Sequence, residues 1–178
     1  MHEPDAWPVS APRTDRPPRY AVCALPLEAY LPGRGARPAP RAVADARLDP
    51  DHPERCKAYL HAVDLFNHGF FWECHEVLEA LWQVRPAGDT TRSGLQGLIQ
   101  IAAAHLKRAQ GVAPGARRLC ERGGTSLCDA GPRALAIDTR AFASAALEWI
   151  DGRRSGPPRL RLHGVPELEP ARSTGCDR

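Results

Sequence analysis

His75 and Glu79 stand four residues apart in the run FNHGFFWECHEVLEALWQ, residues 66–83, among Phe71, Leu78 and Trp82. A charge beside such apolar side chains is costly to bury, so the pair asks for a physical reason. At about 100° per residue the two side chains lie one helical turn apart, at the edge of the apolar face, bordered by Trp72 and Trp82. Coordinating groups at i and i+4 converge on one ion in the zinc H-E-x-x-H helix and in the carboxylate sites of helical bundles. Here the letters are H-E-x-x-E. Glu79 replaces the second histidine, so Glu76 does not inherit the general-base role, and no second E-x-x-H appears for a di-iron site.

A third ligand has to come from another element, and QGLIQIAAAHLK, residues 96–107, offers two sets. Gln96 and Gln100 share one polar edge with Lys107, whereas His105 lies on a different side. Amide oxygens are poor zinc ligands, so inward-facing Gln96 and Gln100 predict a hydrogen-bonded pocket with Trp72, Glu73, His75, Glu76, Glu79 and Trp82. An inward His105 instead predicts a metal set of His75, Glu79 and His105. The structural alternative is a network that only fixes helix register, with Glu79 held by His75 or by an Arg or Lys.

Other templates fail. There is no G-x-S-x-G, no G-x-x-x-x-G-K-[ST] and no G-x-G-x-x-G after a strand. Cys74 and His75 are helix neighbours pointing about 100° apart, so they do not form a nucleophile and base, and Cys74 reads as core. His61, Asp64 and His68 fall near the polar side of the preceding helix and read as solvated surface.

The elements that must position these residues follow from periodicity. Cys56, Tyr59, Ala62, Val63 and Phe66 predict a helix from about Pro53 to His68, ended by Gly69. A second runs from Phe70 to about Val84, closed by Pro86 and Gly88. Asp89, Thr90 and Thr91 are candidate N-caps for a third, to about Gln110, apolar over most of its circumference and therefore central. Pro114 suits the first turn of a fourth, which weakens at GGTS, residues 123–126, and either stops there or resumes through Leu127. A fifth opens at Asp138 and stops at Gly152. No stretch of the body alternates as a strand would. The fold class is all-α: a compact bundle of four to five helices, flanked by proline-rich irregular tails.

Ten of the eighteen prolines fall in residues 1–50, which read as a proline- and arginine-rich disordered arm. Within it, YAVCALPLEAYLP offers a short apolar piece that can pack on the body. The bundle domain is expected over 51–156 and an irregular C-terminal tail over 157–178. A net charge of +3 without a basic run gives no indication of nucleic-acid binding. No leader-like apolar segment and no run near ~18 apolar residues is present, so a cytoplasmic protein without a membrane span is expected. The six cysteines form no C-x-x-C pair and read as free thiols.

Three segments in order, LFNHGFFWECHEVLEALWQ, GLQGLIQIAAAHLKRAQG and GARRLCERG, resemble the family called domain of unknown function 309, over roughly residues 60–125. The resemblance implies a compact all-helical domain with no established activity. It places the family's polar residues on Glu73, His75, Glu76, Glu79, Gln96 and Gln100, with Trp82 as aromatic companion. The chain departs from the family at CERGGTS and in its long arm. Three functional readings stay open: a module binding an unknown small molecule or protein, a metal-dependent hydrolase using the H-E-x-x-E helix, and a structural or homo-oligomer-forming bundle. No cofactor is expected on the first and third; a divalent metal is required on the second.

Overall fold

The computed structural model describes residues 17–39, 43 and 46–168. Five helices carry the fold: α1 (Lys57–Asn67), α2 (Phe71–Gln83), α3 (Thr90–Ala109), α4 (Ala113–Ala130) and α5 (Thr139–Ile150). Short 3-10 turns at Pro53–Arg55 and Ala134–Ala136 precede α1 and α5. Among the described residues there is no strand beyond two isolated bridges. Sequential helices pack on one another, and α3 touches α2, α4 and α5. Its Leu95, Leu98, Ile101 and Ala102 are all but inaccessible to water, which is why its sequence is apolar nearly all round.

Local chemistry sets the helix ends. Gly69, at φ +83°, ends α1: its amide bonds the Phe66 carbonyl at 3.0 Å and the Phe70 amide reaches back to Leu65 at 2.8 Å, a Schellman cap that a residue with a Cβ would strain. The Asp89 carboxylate caps α3 through the Thr91 amide at 2.7 Å, and Asp138 caps α5 through Ala141 at 3.0 Å. The first helix begins later than its pattern predicts, because Cys56 is extended and separates Lys57 from the turn at Pro53.

The fourth helix does not weaken at GGTS; it runs unbroken to Ala130. A Cβ on Gly123 would lie 2.8 Å from the Gly97 carbonyl oxygen, and one on Gly97 would lie 2.7 Å from that of Gly123. The two glycines let the backbones of α3 and α4 touch. Close packing along that seam outweighs the roughly 1 kcal/mol helix penalty of each glycine.

Both flanking segments enter the core. Tyr20, Ala21 and Leu48 are buried from the N-terminal side, Leu160 and Leu162 from the C-terminal side, each leucine contributing roughly 1.5–3 kcal/mol of burial. Of the disorder expected for 1–50, the parts at 1–16, 40–42 and 44–45 lie outside the described residues, as does 169–178 of the tail. Residues 17–39 are irregular but docked, and Asp64 is what docks them. This side chain is fully buried, not solvated, and accepts from the Tyr20 amide at 2.8 Å, the Ala21 amide at 2.9 Å and Arg19 Nε at 3.1 Å. A buried carboxylate with three donors is satisfied where a lone one would be costly. The Arg19 carbonyl in turn accepts from the Leu168 amide, so the two flanks meet beside α1.

Tyr59 ties α1 to the turn before α5. Its buried hydroxyl donates to the Leu135 carbonyl at 2.7 Å, and burial pushes its pKa up. Leu135 and Ala136 both adopt positive φ, at 58° and 57°, a conformation that costs a residue with a side chain about 1–2 kcal/mol. The buried Leu135 side chain and this hydrogen bond hold them there.

Candidate functional site

The second helix supplies the cluster by itself. His75, Glu76 and Glu79 project from one and a half turns of α2, each partly buried, and one ligating atom from each lies within 4.8 Å of the others. The H-E-x-x-E spacing does this directly: i and i+4 stack along the helix, and the flexible Glu76 side chain reaches across from the adjacent position.

The histidine's orientation is fixed. His75 Nδ1 is hydrogen-bonded to the Trp72 carbonyl, which can only accept, so Nδ1 carries the proton. Nε2 is left facing Glu76, 3.8 Å from Oε1. A ring nitrogen tied to a backbone carbonyl with the other aimed at carboxylates is how metal-binding histidines are oriented. The Trp72 ring stands edge-on to the imidazole at 4.4 Å and shields one side of it.

Two residues of the arm, which sequence reasoning did not assign to the site, close over it. Arg37 Nη2 donates to Glu76 Oε1 at 3.0 Å, and its guanidinium lies 5.0 Å from the Trp72 ring centre. Tyr30 packs edge-on to Trp72 at 5.0 Å, and its amide donates to Glu73 Oε1 at 3.1 Å. Glu73 Oε2 is buried with no hydrogen-bond partner. The Glu79 carboxylate forms no hydrogen bond or ion pair among the described residues. Tyr30 sits in the apolar piece that predicts local packing; nothing in the sequence marks Arg37.

The remaining expected residues are elsewhere. Gln96 is exposed, and Gln100 turns to α4, where Ser126 Oγ donates to its Oε1 at 3.5 Å. The polar edge of α3 therefore faces α4 and solvent, because the Gly97–Gly123 contact fixes that face against α4. His105 is buried 4.5 Å from the Phe71 ring and 5.2 Å from Phe66. Its Nδ1 donates to the Ile101 carbonyl at 2.8 Å and Nε2 has no hydrogen-bond partner. Burial pushes its pKa down to about 4, so at neutral pH it is a neutral core side chain, packed in an aromatic cage and not among the ligand atoms that gather at His75. Trp82 is covered by Arg92, whose guanidinium lies 3.6 Å from the ring centre. Cys74 is fully buried and its thiol pushed up by that burial, an inert core group. Two cavities, one along α5 and one near Leu48 and Arg85, are lined by none of the cluster residues.

No helix of the described residues is long and apolar enough to cross a membrane. No curated protein and no solved structure matches the chain. Residues 59–119 match the family described as domain of unknown function (DUF309), and this stretch holds most of α1, all of α2 and α3 and the start of α4, with all three members of the His75 cluster inside it. The matched family is the one that the three sequence motifs resemble, and the match extends over residues 59–119.

Proposed function

We propose that the protein binds a divalent cation on α2, through His75 Nε2 and one carboxylate oxygen each of Glu76 and Glu79. The observation that carries this reading is the mutual approach of the three ligand atoms, all within 4.8 Å. Three ligands about 2.1 Å from one ion stand roughly 3–3.6 Å from one another, so the two flexible glutamates need to close by roughly 1–2 Å, within reach of side-chain rotation. One imidazole and two carboxylates suit zinc, manganese or ferrous iron. A cation held by one helix keeps coordination positions open, as the hydrolase reading requires. The earlier pocket with Gln96 and Gln100 has less to support it, since neither amide approaches His75. A cytoplasmic setting, which keeps thiols such as Cys74 and Cys56 reduced, belongs to the same reading.

A second reading is favoured by the Tyr30 and Arg37 contacts: the acidic face of α2 is a latch for the chain's own arm, with no ion involved. Titration of chelator-stripped full-length protein with zinc or manganese separates the two. Stoichiometric binding that is lost in His75→Ala and in Glu79→Gln supports the ion; absence of binding in the unmodified chain leaves the latch.

A further inference from the structure

The arm meets the bundle in two stretches of unequal grip. At Tyr30 the hold is double: the amide donates to Glu73 Oε1 at 3.1 Å and the ring packs edge-on to Trp72. Two residues on, the Pro32 carbonyl accepts from Gln110 Nε2 at 2.8 Å. A tight turn follows, closed by the Arg34 amide on the Leu31 carbonyl at 2.9 Å. Beyond it the grip thins, and every residue from 33 to 39 is exposed. Among the described residues, Arg37 alone of this stretch reaches α2 by hydrogen bond or ring contact, through Glu76 Oε1 at 3.0 Å and the Trp72 ring at 5.0 Å.

The tether uses a group that the ion also needs. In the cation-binding reading above, on which this inference rests, Glu76 lends the ion a carboxylate oxygen, and that same carboxylate is what Arg37 holds. A bound divalent ion cancels the negative charge that draws the guanidinium and repels it at close range. An exposed ion pair is a weak hold to begin with, and Arg37 is 61 % exposed. The change of charge at Glu76 is therefore enough to tip the balance. Gly35, at φ +76°, lies between the turn and Arg37, where it can absorb the backbone change of a stretch that lifts away while Tyr30 and Pro32 stay anchored.

We infer that cation binding and the docking of residues 33–39 exclude one another: Arg37 is a built-in counter-ion that holds this stretch down on the ion-free site and lets it go when the ion arrives. Linkage makes the effect reciprocal. The factor by which the ion loosens the stretch is the factor by which the docked stretch weakens the ion.

Limited trypsin digestion of the full chain tests this at the Arg34–Gly35 bond, since Pro38 protects the bond after Arg37. Cleavage follows the population of the released form. Calorimetry on the same sample records whether zinc or manganese is bound. Chelator-stripped protein is expected to be cut slowly and the ion-loaded protein about 3- to 5-fold faster, the size of effect an exposed ion pair carries. Glu76→Gln, which removes the charge and keeps the shape, is expected to be cut at the faster rate without any ion. Arg37→Ala is expected to be cut at that rate with or without the ion, which also controls for effects of the metal on the protease. A bound ion that leaves the rate in the unmodified chain unchanged or slower overturns the inference and leaves the cation site standing. No bound ion overturns both, and an unchanged rate in metal-free Glu76→Gln or Arg37→Ala overturns the tether itself.

Discussion

Arg37 and His75 flank one oxygen: Arg37 Nη2 stands 3.0 Å and His75 Nε2 3.8 Å from Glu76 Oε1. The arm thereby places a cation where a bound ion would draw charge from the same carboxylate. Because Arg37 is largely exposed, its pair with Glu76 contributes little to stability, about 0–1 kcal/mol. Arg37→Ala is therefore expected to leave the melting temperature nearly unchanged while raising divalent-cation affinity about 3- to 10-fold in calorimetric titration. Weaker binding in Arg37→Ala would show instead that the arm helps to build the site.

Adjacent glycines in α4 are expected to respond with opposite signs. A Cβ on Gly123 meets the Gly97 carbonyl oxygen at 2.8 Å, a backbone atom in a packed helix, whereas one on Gly124 meets only the Ala143 Cβ at 3.4 Å. Gly123→Ala is expected to destabilise by about 1–3 kcal/mol through overpacking. Gly124→Ala is expected to stabilise by up to about 1 kcal/mol, the helix-propensity gain. Chemical denaturation of the two variants checks the pair.

Removal of the Asp64 carboxylate is expected to free the arm. Asp64→Ala strands the buried Tyr20 and Ala21 amides and leaves Arg19 without its carboxylate. At about 1–3 kcal/mol per unsatisfied buried group, a loss of about 3 kcal/mol is expected, together with faster proteolysis at Arg19. Unchanged proteolysis would contradict the docking role.

His105 is expected to make the fold sensitive to mild acid. Its folded pKa, near 4 through burial, lies below the ~6.5 of an unfolded chain, so as pH falls the unfolded state takes up the proton first. Its contribution is complete above about pH 6.5 and is lost progressively towards pH 4, by on the order of 3 kcal/mol. His105→Leu is expected to flatten this slope in denaturation measured across pH 4–7; an identical slope in the variant would contradict it.

The helices were legible because their periods are strong and their punctuation is local: Gly69, Asp89, Asp138 and Gly152 each act through neighbours in sequence. The His75, Glu76 and Glu79 cluster was legible for the same reason, being contained in one helix. Features that depend on what packs across were not. Gly123 reads as a helix breaker until Gly97 is seen opposite it. Asp64 reads as surface until Tyr20 and Ala21 arrive from 44 and 43 residues away. Gln100 and His105 share a helix with a clear period, but which side of that helix meets α2 is a tertiary property, set by the α3–α4 glycine contact and by the aromatic cage of Phe66 and Phe71.

The most direct test of the cation site is calorimetric titration of chelator-stripped, untagged full-length protein with zinc and with manganese, repeated on His75→Ala and Glu79→Gln. Both substitutions lie at the partly exposed edge of α2, so the helix is retained. The expected result is one ion per chain, with affinity reduced at least about 10-fold in each variant. No heat of binding in the unmodified chain, or equal binding in all three proteins, would contradict the proposal.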